Sequence, residues 1–157
     1  MTLADRDALG VRDMRAISVR QPWAWAILQL GKRVENRTWK PPAKLIGRRI
    51  LLHALKASAP AEELLALQWM AARGLFSPGT MNLDWPGLAN LERGGIVGRV
   101  RLVGCVSYSS DPWFMGPIGW LLDEATSIPF VACRGALGCW KAPPDVEAQL
   151  GGICDDG

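Results

Sequence analysis

The 157-residue chain contains a single histidine, His53, and a single tyrosine. Its four cysteines, Cys105, Cys133, Cys139 and Cys154, form no C-x-x-C pair. With one histidine available, these leave too few ligands for a zinc site of ordinary spacing, so neither a metal nor any other cofactor is expected. In a reducing compartment the expectation is free thiols, three of them half-buried and Cys154 near a loose tail. No apolar run approaches the ~20 residues that cross a bilayer, and MTLADRDALGVRD at the N-terminus lacks the apolar core of a signal peptide. No membrane partner is therefore expected, and the expected location is cytoplasmic. The sequon Asn36-Arg37-Thr38 accordingly reads as chance. G-x-S-x-G, the P-loop and G-x-G-x-x-G are all absent, which removes the best-marked hydrolase and nucleotide-loop chemistries.

Acidic residues are scarce in one region. Between Met14 and Lys56 there are ten Lys or Arg and one acid, Glu35. That segment carries +9 in a chain of net charge +3, so everything outside it sums to −6. The polarity implies a polyanionic partner, and the scarcity of acids in the basic half argues against a metal-dependent nuclease. Tryptophan is abundant, at eight residues, and densest in SVRQPWAWAILQLGKRVENRTW from Ser18 to Trp39. Cationic surface interleaved with flat aromatics suits RNA or another single strand, whose bases stack on such rings. A nucleotide-like small molecule or an acidic protein partner satisfies the charge alone.

The spacing predicts one domain over residues 14–142. A disordered leader is expected at 1–13, with Met14 a possible true start, and a mobile acidic tail at 143–157. A first strand follows Met14, and a short helix runs from Pro22 towards Gly31, with Trp23, Ile27 and Leu30 on one face. Lys32 to Trp39 reads as a strand, with Arg33, Glu35, Arg37 and Trp39 on one face and Val34, Asn36 and Thr38 on the other. Arg48 to Ala54 is apolar on both faces, as in a strand covered on both sides. A second helix runs from Pro60 to Gly74, with Leu64, Leu67 and Ala71 as its stripe. Gly95 to Ser107 is a long strand expected to bend at Gly98 or Gly104. Ile118–Leu122, Ile128–Cys133 and Ala136–Lys141 complete a set of short strands. With only two helices, this pattern predicts an α+β fold, a small mixed β-barrel with helices packed on the outside.

Several residues carry candidate chemistry. Gln21 falls at a helix N-cap, where it is a weak cap; it either hydrogen-bonds a ligand or braces a neighbouring loop. Lys32, Glu35 and Arg37 either line a cleft, with the cations gripping phosphate and Glu35 accepting from a base edge or acting as a base, or form a surface ion-pair network. His53 is a structural histidine, a general acid or base or, with Lys56, part of a phosphate-binding pair. Trp23, Trp25, Trp69, Trp120 and Trp140 lie on patterned elements and are expected in the core, although Trp23 also adjoins the cleft. Trp39, Trp85 and Trp113 sit by Pro- or Gly-rich loops, and Trp113 is the preferred stacking candidate, the alternative being that it plugs the barrel mouth.

The motifs Ser18-x-x-Gln21-Pro22-Trp23-Ala24, Gly31-Lys32-x-x-Glu35-x-Arg37-x-Trp39, Gly98 in a hydrophobic strand, Trp113-Phe114-x-Gly116 and Gly135-x-x-Gly138-x-Trp140 appear in this order. Together they resemble the ASCH domain family, in the branch that includes the C-terminal domain of activating signal cointegrator 1. The resemblance covers Arg15 to Ala142 and implies a PUA-like fold that binds RNA or other nucleic acid in a cleft between the first helix and the Gly-Lys-x-x-Glu-x-Arg strand. Relatives of that fold include a ribonuclease and an amidohydrolase acting on N4-acetylcytidine, so Lys32 and Glu35 are the candidate catalytic pair if the chain is a hydrolase. The amidohydrolase pattern implies a Lys, a Thr and a distal Glu. Lys32 matches the first, but Glu35 stands where the Thr is expected, and no residue is assigned to the third.

Overall fold

The computed structural model describes residues 14–77, 79 and 84–154, with the side chains of 152–154 excepted. Its strands are β1 (Arg15–Val19), β2 (Val34–Arg37), β3 (Arg49–Ala54), β4 (Gly95–Val106), β5 (Ile118–Ala132) and β6 (Trp140–Lys141); its helices are α1 (Trp23–Gln29), α2 (Pro60–Ala72) and α3 (Pro144–Cys154). The strands form one sheet in the order β2-β5-β4-β3-β1-β6. β1 and β3 are parallel and the remaining pairs antiparallel.

This α+β sheet is open: β2 and β6 are its edges, so the expected barrel does not close. Four strand spacings separate β2 from β1, which in a flat sheet is about 19 Å. Yet Arg37 of β2 donates from Nη2 to the Ser18 carbonyl of β1 at 2.8 Å. The sheet must therefore curl hard. The curl comes from β4 and β5, whose register shifts between Ile96 and Gly98, Arg99 and Arg101, and Leu102 and Gly104. Such irregularities bend a strand and increase its twist. β5 runs unbroken through the stretch read as a gap between two strands, with Glu124 at φ 50°. Pro129 is tolerated there because β2 pairs only with Ile118–Leu121 of β5, leaving the far end of β5 with β4 as its neighbour.

Alternation along β1 and β3 supplies both faces. Ile17, Val19, Ile50 and Leu52 enter one apolar cluster with Ala24 and Ile27 of α1, while Ala16 and Leu51 enter another with Val146 and Leu150 of α3. The segment after Pro143 is thus no mobile tail as far as Cys154; it is a helix whose Val146 and Leu150, one turn apart, dock on the sheet. Residues 1–13 and 155–157 lie outside the described residues. The Ala136–Lys141 strand shrinks to the two residues of β6.

α2 buries a different stripe from the one its leucines indicate. Glu63, Ala66 and Met70 face inward, while Leu64 and Leu65 are exposed. Glu63 is drawn in by polar partners: Arg93 contacts it with both Nη atoms at 3.1 and 2.6 Å, and it accepts from Ser58 Oγ and the Ala59 N–H. These donors hold its carboxyl below the usual range, the Arg93 hydrogen bonds contributing most. Cys105, Cys133 and Cys139 are free and half-buried. Among the described residues no helix is long and apolar enough to cross a membrane.

Candidate functional site

The gap between β1 and β2, where a barrel would have closed, is a cleft of about 270 Å³. Its walls come from Ser18, Val19 and Arg20 at the end of β1, Trp23 of α1, Lys32 and β2, with Leu55 and Met115 at the rim. Short connections explain the convergence. α1 is seven residues long, and Gly31, two residues past its end, has a φ of 70° that turns the chain back so that Lys32 enters directly beside the helix.

Lys32 is 2% exposed. Its Nζ donates to the Val34 carbonyl, lies 3.6 Å from Glu35 Oε1 and is 5.6 Å from the Trp23 ring centroid. Burial lowers the pKa of this amine, opposed by the Glu35 carboxylate. On the other side, Glu35 Oε2 lies 3.7 Å from Arg37 Nη2 and has no hydrogen-bond partner, although it is buried. Arg37 rests 5.7 Å from the centroid of the fully buried Trp120. The result is one carboxylate between two cations, in a pocket with an indole on one wall.

Two features of the strand differ from its alternation. Arg33, expected beside Glu35, is exposed and acts electrostatically on Asp123, whereas Lys32, which alternation left unassigned, takes the inward place. It stands in the turn before β2, where the period of two has no force. Asn36 was read as belonging to the opposite face; it lines the cleft and braces its rim. Its Nδ2 donates to the Trp113 carbonyl at 3.0 Å, and its Oδ1 accepts from the Met115 and Gly116 N–H groups at 2.8 and 3.1 Å. A polar residue alternating with Val34 was the available signal for that role. Ser18, Arg20 and Met115 were not foreseen as walls.

The other nominated residues separate. Gln21 is buried and takes the bracing role, accepting from the Trp25 N–H and donating to the Glu92 carbonyl, both at 2.9 Å. Trp113 is 5% exposed and packs with Val34, Met70 and Phe76, so it is core and not a stacking platform. Its loop folds inward because Asp111 Oδ1 accepts the Trp113 N–H at 2.8 Å. Trp39 is 39% exposed and packs edge-on against Trp120, 4.9 Å between centroids. Trp23 lines the cleft, and Trp85 packs against Trp25 and Phe76.

His53 is 1% exposed, with Nε2 2.9 Å from the Cys133 carbonyl and its ring 5.4 Å from that of Trp140. Lys56 is exposed. Neither lines the cleft, so the two do not form the expected phosphate-binding pair there. Gly135 shows how tightly His53 is enclosed: a Cβ there would sit 2.6 Å from the imidazole and 2.7 Å from Ser18 Oγ. Among the described residues no group of three or more His, Cys, Asp and Glu could hold a metal ion.

The fold is thus a curled mixed sheet with helices packed on it and a charged cleft at its open seam. The chain belongs to the ASCH domain family, whose sequence profile matches residues 17–119. Its fold is similar to the crystal structure of ASCH from Zymomonas mobilis, at a TM-score of 0.53 and 13% identity over 90% of this chain and 95% of that one. A mutant form of that protein matches at 0.52 and 14%, over 90% and 99% of the two chains. No curated protein matches the chain.

Proposed function

We propose that the cleft binds single-stranded nucleic acid, RNA above all, or a nucleotide-like fragment of it, by admitting a base edge between Lys32, Glu35 and Arg37. The observation that carries this reading is the Glu35 carboxylate, which belongs to the cleft wall and whose buried Oε2 has no hydrogen-bond donor. A desolvated acceptor without a donor costs ~1–3 kcal/mol or more, so an N–H bearing ligand is favoured there. The basic residues around the seam supply a non-specific grip on phosphate. The motif resemblance to the activating signal cointegrator 1 branch agrees with a binding role.

Fluorescence anisotropy with a labelled single-stranded RNA tests it. Affinity is expected to fall steeply between about 50 and 200 mM salt as counterions are released. Arg37→Ala is expected to weaken binding about tenfold, losing a charge-assisted contact. Binding that hardly changes with salt would sink the reading, and displacement by heparin and an acidic peptide as readily as by unlabelled RNA would sink it in favour of an acidic protein partner.

One observation favours a second reading, a hydrolase of RNA or of a modified nucleoside. Burial lowers the Lys32 pKa, so its neutral amine, the form that can take a proton, is reached at a lower pH than for a free lysine, and Glu35 stands 3.6 Å away to exchange that proton. An N4-acetylcytidine amidohydrolase would inherit Lys32 alone, since Glu35 occupies the threonine position. If Lys32→Ala turns over RNA and N4-acetylcytidine as the parent does, the catalytic pair is refuted.

A further inference from the structure

The order of charges across the cleft carries a preference among bases. Lys32 Nζ lies 3.6 Å from one oxygen of Glu35, and Arg37 Nη2 lies 3.7 Å from the other. Seen from the cleft this is donor, acceptor, donor. A lysine ammonium and an arginine guanidinium have no acceptor to offer, and an ionised carboxylate has no donor, so with Lys32 charged the pattern does not reverse by rotating a side chain. Its complement is acceptor, donor, acceptor.

We propose that the cleft selects keto bases, in which a ring N–H lies next to a carbonyl, over amino bases. The preference rests on the nucleic-acid reading above and names the ligand class of the same site. Uracil presents O4, N3–H and O2, which meet Lys32, Glu35 and Arg37 in turn. Guanine presents O6 to Lys32 and both N1–H and N2–H to Glu35, and offers Arg37 no acceptor on that edge. Cytosine and adenine each turn an amino group and an unprotonated ring nitrogen to the protein, so a lone pair meets the carboxylate or an N–H meets a cation. Each such mismatch leaves buried polar groups unpaired.

Two further observations agree. Arg37 commits Nη2 to the Ser18 carbonyl, fixing a guanidinium that carries five N–H donors in all. The cleft, at about 270 Å³, is a little smaller than the pockets that hold drug-sized ligands, which suits a single base better than a stacked pair. A bare phosphate is a poorer occupant beside Glu35, because it brings only acceptors and negative charge to a carboxylate.

The test is a set of oligoadenylate RNAs with one central uridine, guanosine, cytidine or adenosine, together with N3-methyluridine and N1-methylguanosine at the same place. Uridine and guanosine are expected to bind about tenfold tighter than cytidine, adenosine and both methylated bases, the methyl group occupying the N–H that Glu35 takes. Glu35→Gln is expected to bring uridine and cytidine within about twofold of each other, because an amide offers both a donor and an acceptor. Competition by UMP and GMP against CMP and AMP shows whether the preference extends to free nucleotides. Equal binding across the whole series, or methylation without effect, overturns the preference and leaves the binding reading standing. Failure of every RNA to bind at low salt overturns both.

Discussion

At the scale of single residues, the two buried side-chain polar atoms without partners among the described residues have different consequences. Glu35 Oε2 belongs to a residue of the cleft wall; His53 Nδ1 is enclosed by Gly135, Ser18 and Trp140. Ser18 Oγ is occupied, donating to the Ala136 carbonyl and accepting from Trp140 Nε1. With Nε2 donating to Cys133, a proton added at Nδ1 would find no acceptor. Burial accordingly lowers the His53 pKa from its ordinary 6.5, against the pull of the Cys133 carbonyl, and no charged group adds to that shift. A histidine held neutral contributes its full stability above the unfolded value, and that contribution is lost as the pH falls from about 6.5 towards the depressed folded value. Urea midpoints for the parent and His53→Gln between pH 7.5 and pH 5 check this. The parent is expected to lose up to ~1.4 kcal/mol per pH unit from this group, and the variant to lose less. Equal slopes would refute it. Glu63 leaves that window clear, since its depressed pKa loses stability only below the usual carboxylate range.

Elements differ in how much of them the sequence disclosed, and the reasons are local. β3 was legible because Ile50, Leu51 and Leu52 need cover on both faces, and two clusters provide it. The Gly98 and Gly104 irregularities were legible because an interior glycine marks a bend. α3 was missed although Pro144 opens it and Asp145 and Glu147 occupy its first turn, all ordinary start signals. Its acids were read as a solvated tail, and the two apolar residues that dock it, Val146 and Leu150, are few. Leu150 is fully buried, so Leu150→Ala is expected to cost ~2–4 kcal/mol in chemical denaturation. A loss under ~0.5 kcal/mol would mean the helix does not dock. The cleft was legible as Lys32, Glu35 and Arg37 because motif and charge coincide there. The places of His53, Gln21 and Trp113 depend on Cys133, Glu92 and the third core cluster, contacts distant in sequence that no local pattern announces.

At the scale of the whole molecule, the basic half and the cleft are one fact seen twice, because the strands that carry the cations curl until their ends meet. β2 is an edge strand held on one side by β5, and across the seam the Arg37 side chain reaches the Ser18 carbonyl. A molecule seated between Lys32, Glu35 and Arg37 would rivet together two stretches of chain that no ladder of main-chain bonds joins. Occupancy should therefore slow amide hydrogen exchange in residues 34–37 and 15–19 far more than in the β4–β5 hairpin, whose opening does not involve the seam. Uniform slowing over the sheet would place the ligand elsewhere. The unclosed barrel thus becomes a clasp, fastened by what it holds.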